Sequence, residues 1–166
     1  MKHNICLVSL NNEFTKIVAQ SFANATELFC ADIEELIKFD LIDVVKAEAI
    51  CGPEYLKKVE RTKIKNVSSF DNACIVVNYN MLNDEVNLNN LKEFCVIVCV
   101  DFGFETYKSM MSYDMTRMFE NVLNKEMFNI RKKLLSEYAD VLVHYTSKDK
   151  DLTNKIISKL QDYYKK

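Results

Sequence analysis

Leu7-Val8-Ser9-Leu10-Asn11-Asn12-Glu13-Phe14-Thr15-Lys16-Ile17 joins two different hydrophobic patterns. Asn4–Ser9, leading into it, is a short, nearly continuous apolar run, as in a strand buried on both faces. Beyond it, Phe14, Ile17, Val18 and Phe22 recur at helical spacing and predict a helix over Phe14–Ala25. A buried strand that turns directly into a helix is where a phosphate-binding loop would sit.

The same alternation continues outward. Strand-length apolar runs occur at Leu28–Cys30, Cys74–Asn78, Cys95–Val100 and Val141–His144. Helical patterns cover Ile33–Ala49 and Glu54–Lys65, separated by Gly52-Pro53. Glu105 to Tyr138 contains neither Gly nor Pro and reads as one or two helices. Leu152–Tyr163 is amphipathic, with Ile156, Ile157, Leu160 and Tyr163 on one side. Strands alternating with helices predict an α/β three-layer sandwich with a five-stranded, mostly parallel sheet, as a single domain over residues 1–166.

Composition narrows the function classes. A net charge of −2 gives no electrostatic case for nucleic acid or an anionic membrane. No apolar run approaches the roughly 18 to 20 residues that span a bilayer. No signal peptide is visible, so a cytoplasmic location is expected. The six cysteines show no paired CxxC spacing and only His3 and His144 could join them, so no metal site is expected. They read instead as reduced, buried thiols. His144 ends a strand with no nucleophile or carboxylate visible beside it in sequence. Glycine is scarce: Gly52 and Gly103 are the whole complement, where average usage would give roughly twelve. Scarce glycine makes a tight backbone approach to phosphate hard to build.

Five stretches, in order, resemble the shikimate kinase family along nearly the whole chain. The opening stretch aligns without a gap to the family's L-I-G-F-M-G-S-G-K-S-T. Phe29-Cys30-Ala31-Asp32-Ile33-Glu34-Glu35 resembles its F-V-D-T-D-E-E, and Gly52-Pro53-Glu54-Tyr55-Leu56-Lys57-Lys58-Val59-Glu60 its G-E-x-x-F-R-x-x-E. Asn72-Ala73-Cys74-Ile75-Val76-Val77-Asn78-Tyr79-Asn80 is similar to N-A-V-I-A-T-G-G-G. The most specific match runs from Arg131 through Lys132-Lys133-Leu134-Leu135-Ser136-Glu137-Tyr138-Ala139-Asp140 to Val141, beside R-x-P-L-Y-x-E-V-A-D-V. The resemblance implies a P-loop nucleoside-triphosphate-hydrolase-like fold.

The residues that would carry the family's chemistry are replaced. Ser9 and Phe14 stand for the two defining glycines, Thr15 for the lysine, and Lys16 for the magnesium-binding hydroxyl. Asn12 and Glu13 complete this degenerate loop, and Glu13 sets a negative charge where phosphate would lie. Lys16 could serve as a displaced cation, although successive helical side chains diverge by about 100°. Losing one charge-stabilising group commonly costs about 10²–10³ in rate, and several are altered together. Ala31 and Ile33 occupy the positions of the two family aspartates; Asp32 lies between them, one step out of register. Asn78-Tyr79-Asn80 puts side chains where the family has three glycines beside its substrate.

Three cations retain an implied role in binding an anion: Arg131, Lys57 and Arg117. Glu60 and Glu137 are alternative ion-pair partners for the arginines. The reading is therefore a catalytically inactive relative, a binding or regulatory module for a protein or an anionic small molecule, with no cofactor. The alternative is an active small-molecule kinase using ATP and Mg, with Lys16 and Asp32 as its catalytic residues. The lid-equivalent region, residues 107–122, carries Met111, Met115, Met118 and Val122 on one helical face. That stripe predicts a helix buried in the vacated cleft or against a second copy of the chain, as a homodimer.

Overall fold

The computed structural model describes residues 4–111 and 125–165. Five strands form one sheet: β1 (Asn4–Val8), β2 (Phe29–Asp32), β3 (Ala73–Val76), β4 (Cys95–Asp101) and β5 (Val141–His144). Their order is β2-β3-β1-β4-β5, and every pairing is parallel. The helices are α1 (Asn12–Thr26), α2 (Ile33–Leu41), α3 (Val44–Cys51), α4 (Pro53–Ser68), α5 (Glu85–Phe94), α6 (Phe104–Met110), α7 (Lys125–Tyr138) and α8 (Leu152–Tyr164). A 3-10 turn covers Tyr79–Asn83.

The predicted three-layer α/β sandwich is what forms. Cys6, Val8, Ile75 and Ile97 face a core closed by Ile33, Ile64, Leu91 and Leu135 of α2, α4, α5 and α7. Ile5, Leu7, Cys74 and Val98 face the opposite core, closed by Val18 and Phe22 of α1 and Ile156 of α8. Both faces of the central strands are covered, so their sequences are apolar without alternation. No helix among the described residues is long and apolar enough to cross a membrane.

Asn4 shows how the central strand is tied in. It is 3% exposed; its side-chain amide donates to the Ser68 carbonyl at 2.8 Å and to the Phe70 carbonyl, while Oδ1 accepts from Ala73 N at 2.9 Å. Asn4→Ala would leave these buried groups unpaired, at about 1–3 kcal/mol each before relaxation. A loss of about 2–3 kcal/mol is expected, read as a lower urea midpoint at unchanged slope.

Several boundaries differ from the sequence pattern. Ile33–Ala49 is not one helix: Ile42 takes a left-handed φ of 58°, and the Asp43 side chain caps α3 by accepting from Lys46 N. β2 runs over Phe29–Asp32 instead of Leu28–Cys30, because Leu28 N still bonds Ala23 O at the end of α1. β3 stops at Val76; Asn78 then caps the 3-10 turn. That turn and α5 were not legible in the pattern. The cysteines are not uniformly buried, since Cys51 is exposed and Cys30 half-buried. Of the methionine stripe, Met111 lies beside a small aromatic core; Met115, Met118 and Val122 lie outside the described residues.

Candidate functional site

Parallel sheets of this kind present their ligands at the carboxyl ends of the strands. At the end of β1, Ser9, Leu10 and Asn11 link Val8 to α1. Ser9 and Thr15 are both 1% exposed, and their hydroxyls meet at 2.7 Å. Ser9 Oγ accepts from Asn11 N, Asn11 Oδ1 accepts from Phe14 N at 3.0 Å, and Thr15 N and Oγ1 both donate to Asn11 O. A phosphate cradle needs such N–H groups aimed outward and unengaged. Here the loop's own side chains and carbonyl take them.

Lys16 leaves α1 one turn on and reaches the end of β2. Its Nζ lies 3.2 Å from Glu13, 3.4 Å from Asp32, 3.7 Å from Glu34 and 3.2 Å from Glu35. The side chain is 18% exposed. Burial works against its charge, but hydrogen bonds to Glu13 and Glu35 and the Asp32 charge outweigh this and raise its pKa. Lys38 and Lys16 together hold the Glu35 carboxyl below the usual glutamate range. Glu34 is fixed from two sides, by Asn12 Nδ2 at 2.6 Å and Asn78 Nδ2 at 2.9 Å. Asp32 also caps α2 through Glu34 N and Glu35 N. Lys16 and Asp32, each one position away from the family's lysine and aspartates, are thus brought together. A long lysine arm spans the gap, and Asp32, at the strand's last position, faces α1.

The family-implied magnesium and nucleotide fit this arrangement poorly. An ammonium already sits among the carboxylates, and the amides of Asn11, Phe14 and Thr15 are engaged. No group of three or more His, Cys, Asp or Glu side chains among the described residues is arranged to hold a metal ion. Ala31 and Ile33, at the family's aspartate positions, are buried in the core.

Aromatic side chains pack against the same loop. Phe14 meets Phe102 edge-on at 5.6 Å and Tyr145 at 5.0 Å, and Phe102 stacks on Tyr107 at 6.2 Å. Below them, Asp101 accepts from Lys132 Nζ at 2.9 Å and lies 3.1 Å from His144 Nδ1. His144 thus has the carboxylate partner that its sequence surroundings lack. Asp101 closes β4 and His144 closes β5, and the parallel register sets them side by side.

Arg131, on α7, lines a pocket of about 200 Å³ with Tyr79, Asn80, Asn83, Leu134 and Tyr138. Its guanidinium lies over the Tyr79 ring at 5.4 Å. Among the described residues it forms no ion pair, so neither Glu60 nor Glu137 neutralises it. Burial, then the charges of Asp84 and Glu34, raise the Glu60 pKa. Of the Asn78-Tyr79-Asn80 stretch, Tyr79 and Asn80 thus line the pocket, while Asn78 turns to Glu34. Lys57 is not part of it: it is exposed and pairs with Glu54 at 2.8 Å. Arg61, not singled out from sequence, instead grips Asp84, the cap of α5, at 2.6 Å. Arg117 lies outside the described residues. A wider, open groove of about 760 Å³ on α2 and α4 includes Phe39, Tyr55 and Lys63, the last paired with Asp40.

No family model matches the chain, and no curated protein matches it by sequence. Solved structures do. Shikimate kinase from Acinetobacter baumannii in complex with shikimate superposes with a TM-score of 0.82 at 17% identity, covering 100% of this chain and 97% of that one. Shikimate kinase from Aquifex aeolicus gives 0.77 at 18% identity, covering 97% and 98%. The Bacteroides thetaiotaomicron enzyme gives 0.72 at 12% identity over the full length of both chains. At such identities the likeness establishes a shikimate-kinase-like fold and leaves the chemistry to the residues.

Proposed function

We propose that this chain is a catalytically inactive shikimate-kinase-like domain of the cytoplasm, a binding module that takes a small carboxylate at Arg131 and does not transfer phosphate. The observation that carries the reading is Lys16 Nζ among four carboxylates, beside a loop in which the N–H groups of Asn11, Phe14 and Thr15 are already engaged. A nucleotide phosphate brought there would meet Glu13, Asp32, Glu34 and Glu35, and like charges in so confined a site repel. Catalysis of phosphoryl transfer is almost entirely positioning and charge stabilisation, and both supports are committed elsewhere. The Arg131 pocket differs in that, among the described residues, its cation has no ion-pair partner. An aromatic ring under the guanidinium and flanking amides suit a planar carboxylate.

The test has two arms. In a coupled assay with ATP, magnesium and shikimate, no turnover above the protein-free blank is expected; turnover that disappears in Lys16→Ala would overturn the reading and make Lys16 a displaced catalytic lysine. In calorimetry, ATP with magnesium is expected to bind worse than about 1 mM, about −4.1 kcal/mol. Millimolar shikimate should raise the melting temperature of the parent and not of Arg131→Ala, since a ligand bound only by the native state stabilises it. Equal behaviour of the two proteins would remove Arg131 from the recognition site.

A further inference from the structure

We propose that Cys30 and Cys74 form a reversible two-electron oxidation site, a dithiol that closes to a disulfide on reaction with a hydroperoxide. The parallel register of β2 and β3 pairs these two residues directly. Adjacent strands run about 4.8 Å apart, within the roughly 4.4–6.8 Å between Cα atoms that disulfides span. Both side chains lie on the face covered by α1: Cys74 is fully buried, with Sγ 3.9 Å from Ala19 O, and Cys30 packs at the margin of the same core. β2 is an edge strand, and Cys30 is half-buried on it. One thiol is therefore open to a small oxidant while its partner is shielded. Cys6, Cys95 and Cys99 are buried, and Cys51 stands exposed on α3.

The chemistry needs one open, nucleophilic sulfur and one resolving thiol. The neighbouring Cys74 thiol, acting against burial, lowers the Cys30 pKa, whereas Cys30 and burial raise that of Cys74. The Cys30 thiolate attacks the terminal peroxide oxygen; the O–O bond breaks, the alkoxide leaves as alcohol, and Cys30 becomes a sulfenic acid. The Cys74 sulfur then displaces the sulfenic oxygen, whose hydroxide leaves with the Cys74 proton as water. Two thiols and one hydroperoxide give one disulfide, one alcohol and one water. Bridged Cβ atoms lie about 3.5–4.5 Å apart, closer than paired parallel strands set them, so the bridge draws β2 and β3 together and stays easy to reduce by thiol exchange. Both strands end at the Lys16 cluster, β2 in Asp32 and β3 through Val77 to Asn78, the amide that holds Glu34.

The test is peptide mapping of the full chain after a few equivalents of hydrogen peroxide, with free thiols alkylated before digestion. The expected result is a Cys30–Cys74 linked peptide as the main product, reversed by dithiothreitol, retained in Cys51→Ser and missing in Cys30→Ser. If wild type yields Cys30 as sulfinic acid with Cys74 still alkylatable, or links other cysteines instead, the proposal fails. Because wild type is mapped directly, a variant that misfolds does not blur the outcome. The result is also independent of whether Arg131 binds a carboxylate.

Discussion

Lys16→Met is expected to lower stability by about 2 kcal/mol at pH 7, between the effect of an exposed ion pair and the roughly 3–5 kcal/mol of breaking a buried one. Four carboxylates would be left together with Lys38 as their remaining close cation. For a chain of this size that is roughly 4–8 °C in melting temperature. The deficit depends on pH. The folded-state pKa of Lys16 is raised, so its contribution is complete below the ordinary 10.5 and fades as pH rises through the higher value. The Glu35 carboxyl is depressed, so its contribution is present above 4.5 and is lost as pH falls below that. Wild type and variant should therefore differ most between about pH 5 and 10 and converge toward pH 3. Melting curves that agree within about 1 °C at pH 7, or a gap that widens in acid, would show that the cluster does not hold the loop together.

Phe102→Ala should cost more, about 3–4 kcal/mol. Phe102 is 2% exposed and contacts both Phe14 and Tyr107, so truncation opens a cavity and breaks aromatic pairs worth about 0.5–1.5 kcal/mol each. Phe102→Leu, which keeps most of the volume, should lose less than about 1.5 kcal/mol. Chemical denaturation of both variants reads the difference. The same pair separates two explanations for the weak nucleotide binding proposed above. If aromatic filling were the obstacle, Phe102→Ala would gain a thermal shift with ATP and magnesium. With the N–H groups of Asn11, Phe14 and Thr15 engaged by Ser9 and Asn11, no shift is expected in either variant.

The layered sheet was legible because its central strands are buried on both faces, and such burial writes itself as runs like Cys95-Val96-Ile97-Val98-Cys99-Val100. Edges and breaks were less legible. Nothing in Ile33–Ala49 marks Ile42 for a positive φ, which a β-branched residue takes only under tertiary constraint. Residues 79–94 resisted reading because Asn78 and Asp84 act as caps, and a cap depends on which backbone groups need a partner.

The identity of residues 9–16 departs from the phosphate-loop pattern of the family the chain resembles, a shape the backbone takes at low cost only with glycine. It could not say what fills the place. Ser9 and Thr15 meet by folding the chain back on itself, and Lys16 reaches Asp32 only because α1 packs across β2. Asp101 meets His144, and Cys30 meets Cys74, because parallel strands set residues far apart in sequence side by side. Local pattern encodes which face of an element is buried, through its own periodicity. Which charges and thiols come together is decided by strand order and register, which no single stretch of sequence contains.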